Sequence, residues 1–303
     1  NHLAIARANV EESSGISTGD EALNNKLWTQ GFYTDTKQYD RGGVSGYDST
    51  GHGFVLGLDR TISKSSIIFG VALSLGQSEV NSKNTTTRAN TNTNTKQIMV
   101  YATKDFSNYY LEAMLSYARN DNEANRHIVV GSIDRTAVAQ YDSSIFATRV
   151  GIGFPMKKKG LDLLPKVSIN YVYLNTDTYT ETGADALNLT VDTDSMSKYT
   201  VKAGIAVSKP VVFNTGGTFI PEFRTGVTYE MGDDFSTINS NFAGGGNAFS
   251  TKGLDASDVS VDAGLGLTFL SDDKLTELKF DYDLTRKSDY IEKVGIITIK
   301  YRF

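Results

Sequence analysis

The sequence predicts an all-β fold, an antiparallel transmembrane β-barrel of about 12 strands, preceded by a short α-helix. Three observations predict it. Segments of about ten residues, long enough for a tilted strand to cross a bilayer, alternate apolar and polar side chains along most of the chain. Short and long polar connections follow one another between these segments. No apolar run approaches the roughly 18 residues of a transmembrane helix.

The first part of the chain differs from the rest. Asn1–Glu12 contains Ala and Leu at helical spacing and places Leu3 and Val10 on one face, which predicts a short helix. A polar spacer follows it. We therefore divide the chain into a helix with its spacer over residues 1–26 and a barrel over residues 27–303.

Alternation of apolar and polar residues marks each predicted strand. It is clearest in the third, where Phe69, Val71 and Leu73 share one face and Gly70 and Ala72 share the other. Only 4 residues are proline, as expected of a chain that is mostly hydrogen-bonded ladder. The predicted strands are Leu27–Gln38, Gly51–Ile62, Ser66–Glu79, Lys96–Phe106, Tyr109–Arg119, Gln140–Met156, Leu161–Thr176, Lys198–Lys209, Thr218–Met231, Ser257–Leu270, Lys274–Thr285 and Ile291–Phe303.

Connections of two lengths alternate between these strands, which is typical of a barrel with periplasmic turns on one rim and extracellular loops on the other. One connection, Pro210–Gly217, is longer than this pattern predicts. The tight turns are predicted at Ser63–Ser65, Ser107–Asn108, Lys157–Gly160 and Ser271–Asp273. The long polar loops are predicted at Tyr39–Thr50, Asn81–Thr95, Asn120–Ala139, Asp177–Ser197 and Gly232–Ala256.

The positions of the charged residues indicate which face of each strand contacts lipid. They lie opposite the apolar rows, and a charge that faced the middle of the bilayer would cost roughly 2–4 kcal/mol. We therefore expect a polar, hydrated lumen and aliphatic rows that face hydrocarbon. A water-soluble barrel would reverse the faces, but an apolar content of only 39% and tyrosines near strand ends favour lipid outside. The predicted lumen-lining residues are Asp59, Lys202, Glu222, Arg224, Asp262, Lys279, Asp281, Asp283 and Lys300.

Residues for active-site chemistry are few. The chain has no Cys and only three His, and His52 and His127 are expected to be solvated residues at the rim. No phosphate loop, dinucleotide fingerprint or metal-ligand cluster occurs, so we expect no cofactor and no metal. A net charge of -5 without a basic stripe argues against nucleic acid. The turn Lys157–Lys159 is expected to be solvated or to contact anionic head groups.

Several motifs resemble one family of membrane proteins. Leu27–Tyr33 is similar to the tryptophan-bearing first strand of the translocator domain of monomeric type V autotransporters. The run Gly43–Tyr47 followed by Gly53–Arg60 resembles the second strand of that family, and Ile68–Ser74 resembles the third. Within the family, the Gly-Gly-Val-Ser-Gly-Tyr run is similar to rickettsial surface antigens.

The resemblance implies a function. The barrel would lie in the outer membrane of a Gram-negative bacterium with its loops facing the cell exterior, and would anchor and export an N-terminal passenger. The helix would thread the lumen. Implied partners are outer-membrane lipids, the barrel assembly machinery and the passenger itself, and the barrel is expected to act as a monomer. The outward stripe of the last strand resembles the signal read by that machinery, namely Ile297, Ile299, Tyr301 and Phe303.

Self-cleavage is the one reaction that the resemblance raises, because some family members cut their passenger between two asparagines inside the lumen. Asn24-Asn25 is such a pair here, although it lies later than the family's cut site. A polar turn that leads into the first strand is the simpler interpretation. The lumen residues that could assist a cut are Glu222, Arg224 and Asp262.

Three other functions stay open at this stage. A passive porin would share the barrel but lack a helix that plugs it. An outer-membrane hydrolase would need His52 or His127 beside a Ser or an acid. An adhesin would bind through the loops Asn81–Thr95 and Gly232–Ala256, which contain few aromatic anchors.

Overall fold

The computed structural model describes residues 25–62, 66–84, 87–213, 216–232, 237–253 and 258–303. The predicted helix Asn1–Glu12 and its spacer up to Asn24 lie outside these ranges. Within the described residues, no helix is long and apolar enough to cross a bilayer.

The described ranges contain 18 β-strands and one short 3-10 turn at Asp185–Leu187. The strands are β1 (Asn25–Gln38), β2 (Tyr47–Ile62), β3 (Ile67–Ser82), β4 (Thr87–Asp105), β5 (Tyr110–Val130), β6 (Ile133–Gly153), β7 (Met156–Lys158), β8 (Leu161–Thr176), β9 (Tyr179–Thr180), β10 (Leu189–Thr193), β11 (Met196–Ser208), β12 (Val211–Val212), β13 (Thr218–Gly232), β14 (Thr237–Phe242), β15 (Phe249–Lys252), β16 (Val259–Leu270), β17 (Thr276–Lys287) and β18 (Tyr290–Arg302).

Twelve of these strands form a closed antiparallel barrel. A single sheet of 14 strands includes the short strands β7 and β12, and the other twelve complete a circle. The circle closes where β1 pairs with β18 in a register from Lys26 opposite Arg302 to Gln38 opposite Tyr290. β8 pairs with β11 on the far side. The predicted all-β, 12-stranded barrel is therefore confirmed.

Two of the predicted loops are largely strand, so the loop assignments Asn81–Thr95 and Asn120–Ala139 were wrong. β4 already begins at Thr87, and the β5–β6 hairpin continues to a two-residue turn. Polar side chains hold these strands together: Thr93 donates to Asn122 at 2.9 Å and Thr95 donates to Asn120 at 2.9 Å. These strands therefore pair without a row of apolar side chains. Because strands are predicted from such apolar rows, these extensions were not recognised in the sequence.

The barrel has a polar inside and an apolar outside. Among the described residues, the largest fully buried side chains are those of Val55 and of five polar residues, namely Gln30, Asn120, Thr228, Thr298 and Ser260. Aliphatic side chains on alternate positions point outward, and Leu73 reaches 61% exposure. A soluble protein of this size would bury these apolar residues. The distribution is the one that a barrel in lipid requires.

One aromatic cluster fills the lumen beside the first strands. Trp28 lies across Gly57, where an added Cβ would come within 2.2 Å of the indole, and Tyr101 lies across Gly70 in the same way. The indole Nε1 donates to Tyr101 Oη at 2.8 Å and to Asp59 at 3.1 Å, and the Tyr101 hydroxyl also donates to Asp59. Side-chain contacts of this cluster therefore connect β1, β2 and β4, in addition to the backbone hydrogen bonds of the sheet.

Candidate functional site: the lumen and its extracellular cap

A cavity of about 750 Å³ occupies the lumen and is lined mainly by charged and small residues. Eight of the nine predicted lumen residues line it, and the ninth, Asp281, has a fully buried side chain beside them. Those eight are Asp59, Lys202, Glu222, Arg224, Asp262, Lys279, Asp283 and Lys300.

Arg224 is the centre of the largest ionic cluster in the lumen. Its guanidinium contacts Glu222 at 2.7 Å, Asp281 at 2.5 Å and Asp283 at 3.0 Å. Lys279 adds a second cation to Asp281 at 3.2 Å. A planar guanidinium with several donors can satisfy more than one carboxylate at once, which suits this crowded position.

Two glycines allow Arg224 to reach acids that lie two strands away. Arg224 on β13 is opposite Gly264 on β16, which is opposite Asp283 on β17. A Cβ at Gly264 would come within 1.9 Å of the Asp283 carboxylate, and one at Gly266 within 3.0 Å of Arg224. The charges were predicted from the sequence, but the role of these two glycines was not, because the register that aligns them is not visible in one strand.

Asp262 belongs to a second cluster on the same wall. Its carboxylate lies 3.3 Å from Lys202 Nζ and accepts hydrogen bonds from Thr228 at 3.1 Å and Thr285 at 2.8 Å. Lys300 pairs with Glu277 at 3.2 Å. Most acids on this wall therefore already have protein partners.

A third ionic group lies on the facing strands and was not predicted from the sequence. Glu112 on β5 contacts Arg149 Nε at 3.3 Å and Lys166 Nζ at 2.8 Å, and Arg149 is only 5% exposed. Two cations around one acid make this wall more positive than the wall around Arg224. Glu112, Arg149 and Lys166 are charged residues within alternating strands, and the other lumen residues were predicted from the same pattern.

Asn25 and the two candidate histidines lie outside the ionic clusters of the lumen. Asn25 begins β1, and its backbone N–H donates to the Phe303 carbonyl at 3.3 Å while its own carbonyl accepts from Phe303 at 3.0 Å. Asn24 lies outside the described residues. His127 Nε2 lies 2.7 Å from Asp134 on the exposed tip of the β5–β6 hairpin, and His52 is exposed on β2. Within the described ranges, no group of three or more His, Asp or Glu residues could hold a metal ion.

The last strand presents an outward apolar stripe. Its four side chains are between 48% and 50% exposed, and the rings of the final two stack with centroids 6.4 Å apart. They alternate with inward residues, including Thr298, which is 1% exposed. The stripe consists of Ile297, Ile299, Tyr301 and Phe303.

At the rim opposite the chain's C-terminus, segments of two loops pair to form a small sheet. The loop after β8 supplies β9 and β10, the loop after β13 supplies β14 and β15, and β10 pairs with β14. We call this four-stranded sheet, together with residues 181–188 between β9 and β10, the cap. It lies on the rim that bears the longer connections, which is the extracellular rim of such barrels.

The cap packs against the lumen-facing side of the β5–β6 hairpin. Arg126 of the hairpin makes two bonds of 2.9 and 2.5 Å to Glu181, which is 7% exposed, and a third of 2.8 Å to the Leu187 carbonyl. Ile128 and Ala137 form a small apolar core with Ala184. Because inward residues of the hairpin make these contacts, the cap lies on the side of the hairpin that faces the mouth.

Two tyrosines extend this contact. Tyr179 of β9 stacks on Tyr141 with ring centroids 4.2 Å apart. Burial in this contact raises the pKa of Tyr179, and the neighbouring Tyr141 and Glu181 raise it further. The hydroxyl therefore stays protonated well above neutral pH, and the stack is not a pH-sensitive contact near neutrality.

Comparison with known proteins identifies the family. Residues 27–283 match the autotransporter β-domain family. This chain belongs to that family. Its structure resembles the translocator domain of the autotransporter NalP from Neisseria meningitidis, with a TM-score of 0.78, 17% identity, and coverage of 100% of this chain and 96% of the other. It also resembles the β domain of the Bordetella autotransporter BrkA, with a TM-score of 0.68, 18% identity and coverage of 92% and 100%.

Relatives of this autotransporter β-domain include outer membrane proteins of Rickettsia species. Outer membrane protein B of Rickettsia japonica is 23% identical over 300 residues, which are 96% of this chain. Outer membrane protein A of Rickettsia conorii is 24% identical over 298 residues, which are 95% of this chain. The chain spans only 18% and 14% of the length of these two relatives. It is an outer-membrane translocator domain of a Gram-negative bacterium, as the sequence motifs predicted.

Replacing Arg224 with Ala should destabilise the barrel by about 3 kcal/mol, because the fully buried Asp281 would keep only Lys279 as a cation. The matched control is Lys96→Ala, which removes an exposed pair with Asp121 and should change stability by less than about 1 kcal/mol. Urea unfolding in detergent, followed by the shift of the folded band in gel electrophoresis, measures both. Equal stability of the two variants would contradict the importance of the cluster.

Replacing Arg126 with Ala should loosen the packing of the cap against the hairpin, because Glu181 would lose a partner that makes two bonds to it. We expect chymotrypsin to cut within residues 177–195 several-fold faster than in the parent chain. Arg119→Ala is the control, since its pair with Asp142 is exposed. An unchanged cutting rate in Arg126→Ala would show that the ion pair does not hold the cap.

Proposed function

We propose that this barrel anchors a linked passenger in the outer membrane and conducts it to the cell surface in an unfolded state. A translocator domain of this family implies such a passenger, and the two rickettsial relatives are more than five times longer than the matched segment. The observation that carries the proposal is the closed, charged lumen.

The size of the lumen supports transport of an unfolded chain. A folded domain of 100 residues has a radius of gyration of about 13 Å, and a sphere of that radius encloses roughly 9,000 Å³. The lumen cavity is about 750 Å³. We propose that a barrel of 12 strands passes one helix or an extended segment and not a folded domain.

The charge pattern of the lumen suits a passing polypeptide. Most acids near Arg224 and Asp262 have cationic partners inside the wall, so the wall presents compensated charge. The ionic part of this surface is hydrated, and a passing chain meets paired charges there. We propose that these residues keep the conduit wet and do not act as catalysts.

We further propose that residues 1–24 form the segment that occupies the lumen after export, and that the barrel works as a monomer. The boundary predicted after residue 26 moves two residues earlier, because Asn25 and Lys26 are already paired in β1. Outer-membrane lipids would contact the aliphatic rows. The exposed stripe of β18 would be read by the barrel assembly machinery during insertion.

Deleting residues 1–24 tests this assignment. If the segment plugs the lumen, the deleted barrel should carry a several-fold larger current than the full chain in planar bilayers, because the cavity is then filled by water and ions. Lys96→Ala, whose side chain is exposed, serves as the control and should leave the current unchanged. Equal currents in the deleted and full chains would overturn the plug and would favour a passive porin.

A further inference from the structure

The periplasmic rim carries an outward-facing patch in which lysines and aromatic rings occur together. Phe106 and Tyr109 stack with centroids 4.6 Å apart, and Tyr109 lies 6.3 Å from Phe154. Lys104 Nζ lies over the Phe106 ring, 5.0 Å from its centroid. The basic rim patch consists of Lys104, Phe106, Tyr109, Phe154, Lys158 and Lys159.

Strand alternation places this patch on the lipid side. Tyr101 and Tyr110 point inward, with 7% and 3% exposure, so Lys104 and Tyr109 lie at outward positions of the same two strands. Phe154 follows the inward Gly153 and is 41% exposed. The rings therefore face the zone where the hydrocarbon meets the head groups, which aromatic residues favour in membrane proteins.

A tight hairpin adds two further lysines. β7 and β8 pair through Lys158 and Leu161, and the turn between them contains Lys159 and Gly160 with φ angles of 53° and 76°. Positive φ at both central residues is the geometry of a two-residue hairpin turn, which projects its side chains away from the barrel. The two lysines therefore extend from the rim at the tip of the hairpin that follows Phe154.

The positive charge of the patch is not neutralised by nearby acids. Lys157 pairs with Asp162 at 3.7 Å, whereas Lys104, Lys158 and Lys159 have no carboxylate partner among the described residues. The turn Ser271–Asp273 on the same rim has the opposite character. It contains the acids Asp272 and Asp273, and bonds from the Ser271 hydroxyl and the Leu275 N–H hold the pKa of Asp273 below its usual range.

We propose that the basic rim patch binds an anionic glycerophospholipid of the inner leaflet. The lysine ammonium groups would contact the phosphate and the acidic head group, and the stacked rings would support the upper part of the acyl chains. Each lysine near an anionic surface strengthens binding a few-fold, and the aromatic rings fix the depth at which this occurs. The proposal needs only the barrel in its membrane and does not rest on passenger export.

Native mass spectrometry of the full chain in detergent tests the proposal, with phosphatidylglycerol and phosphatidylcholine of matched acyl chains as the two probes. The parent chain should bind phosphatidylglycerol about tenfold more tightly than phosphatidylcholine at low salt. The triple variant Lys104→Gln, Lys158→Gln and Lys159→Gln should lose this preference.

Two controls keep the result interpretable. The triple change to Arg at the same positions keeps the charge and should retain most of the preference. Lys274→Gln, beside the anionic turn, removes a lysine elsewhere on the rim and should leave the preference unchanged. Equal binding of both lipids by the parent chain, or an unaltered preference in the folded Gln variant, would overturn the proposal.

Discussion

Closure of the hydrogen-bonded circle between β1 and β18 is the constraint on which the rest of this barrel depends. Hydrocarbon offers no partner for a backbone N–H or carbonyl, and each unpaired group costs several kcal/mol. The register from Lys26–Arg302 to Gln38–Tyr290 leaves neither strand with an open edge. The backbone groups of the barrel are therefore hydrogen-bonded to neighbouring strands. Alternate side chains can then face lipid and water.

In the closed barrel, the charged side chains that point into the lumen lie close to one another. Gly264 and Gly266 on β16 remove the side chains that would separate β13 from β17, and Arg224 bridges the acids on both sides. Removal of one partner from such a group is costly, whereas the intact group presents a compensated surface. The same arrangement thus stabilises the wall and keeps the conduit hydrated.

The strands could be predicted from the sequence because the alternation of apolar and polar residues within one strand shows which of its faces contacts lipid. Outward residues such as Leu73 are aliphatic and inward ones are small or polar, so one strand suffices to assign its two faces. The extensions of β4 and β5 were missed because Thr93 and Asn122 hold them by hydrogen bonds without an apolar row. The cap was missed because β10 and β14 come from separate loops, and no local pattern specifies that pairing.

The central claim is that aliphatic side chains contact hydrocarbon while their neighbours face water. The chain has no cysteine, so spin labels can be placed singly at Leu267, which is 42% exposed, and at Thr268, which lines the lumen cavity. In bilayers, the label at Leu267 should be relaxed mainly by oxygen, which concentrates in lipid, and the label at Thr268 mainly by a water-soluble nickel chelate. The reverse pattern would contradict the account.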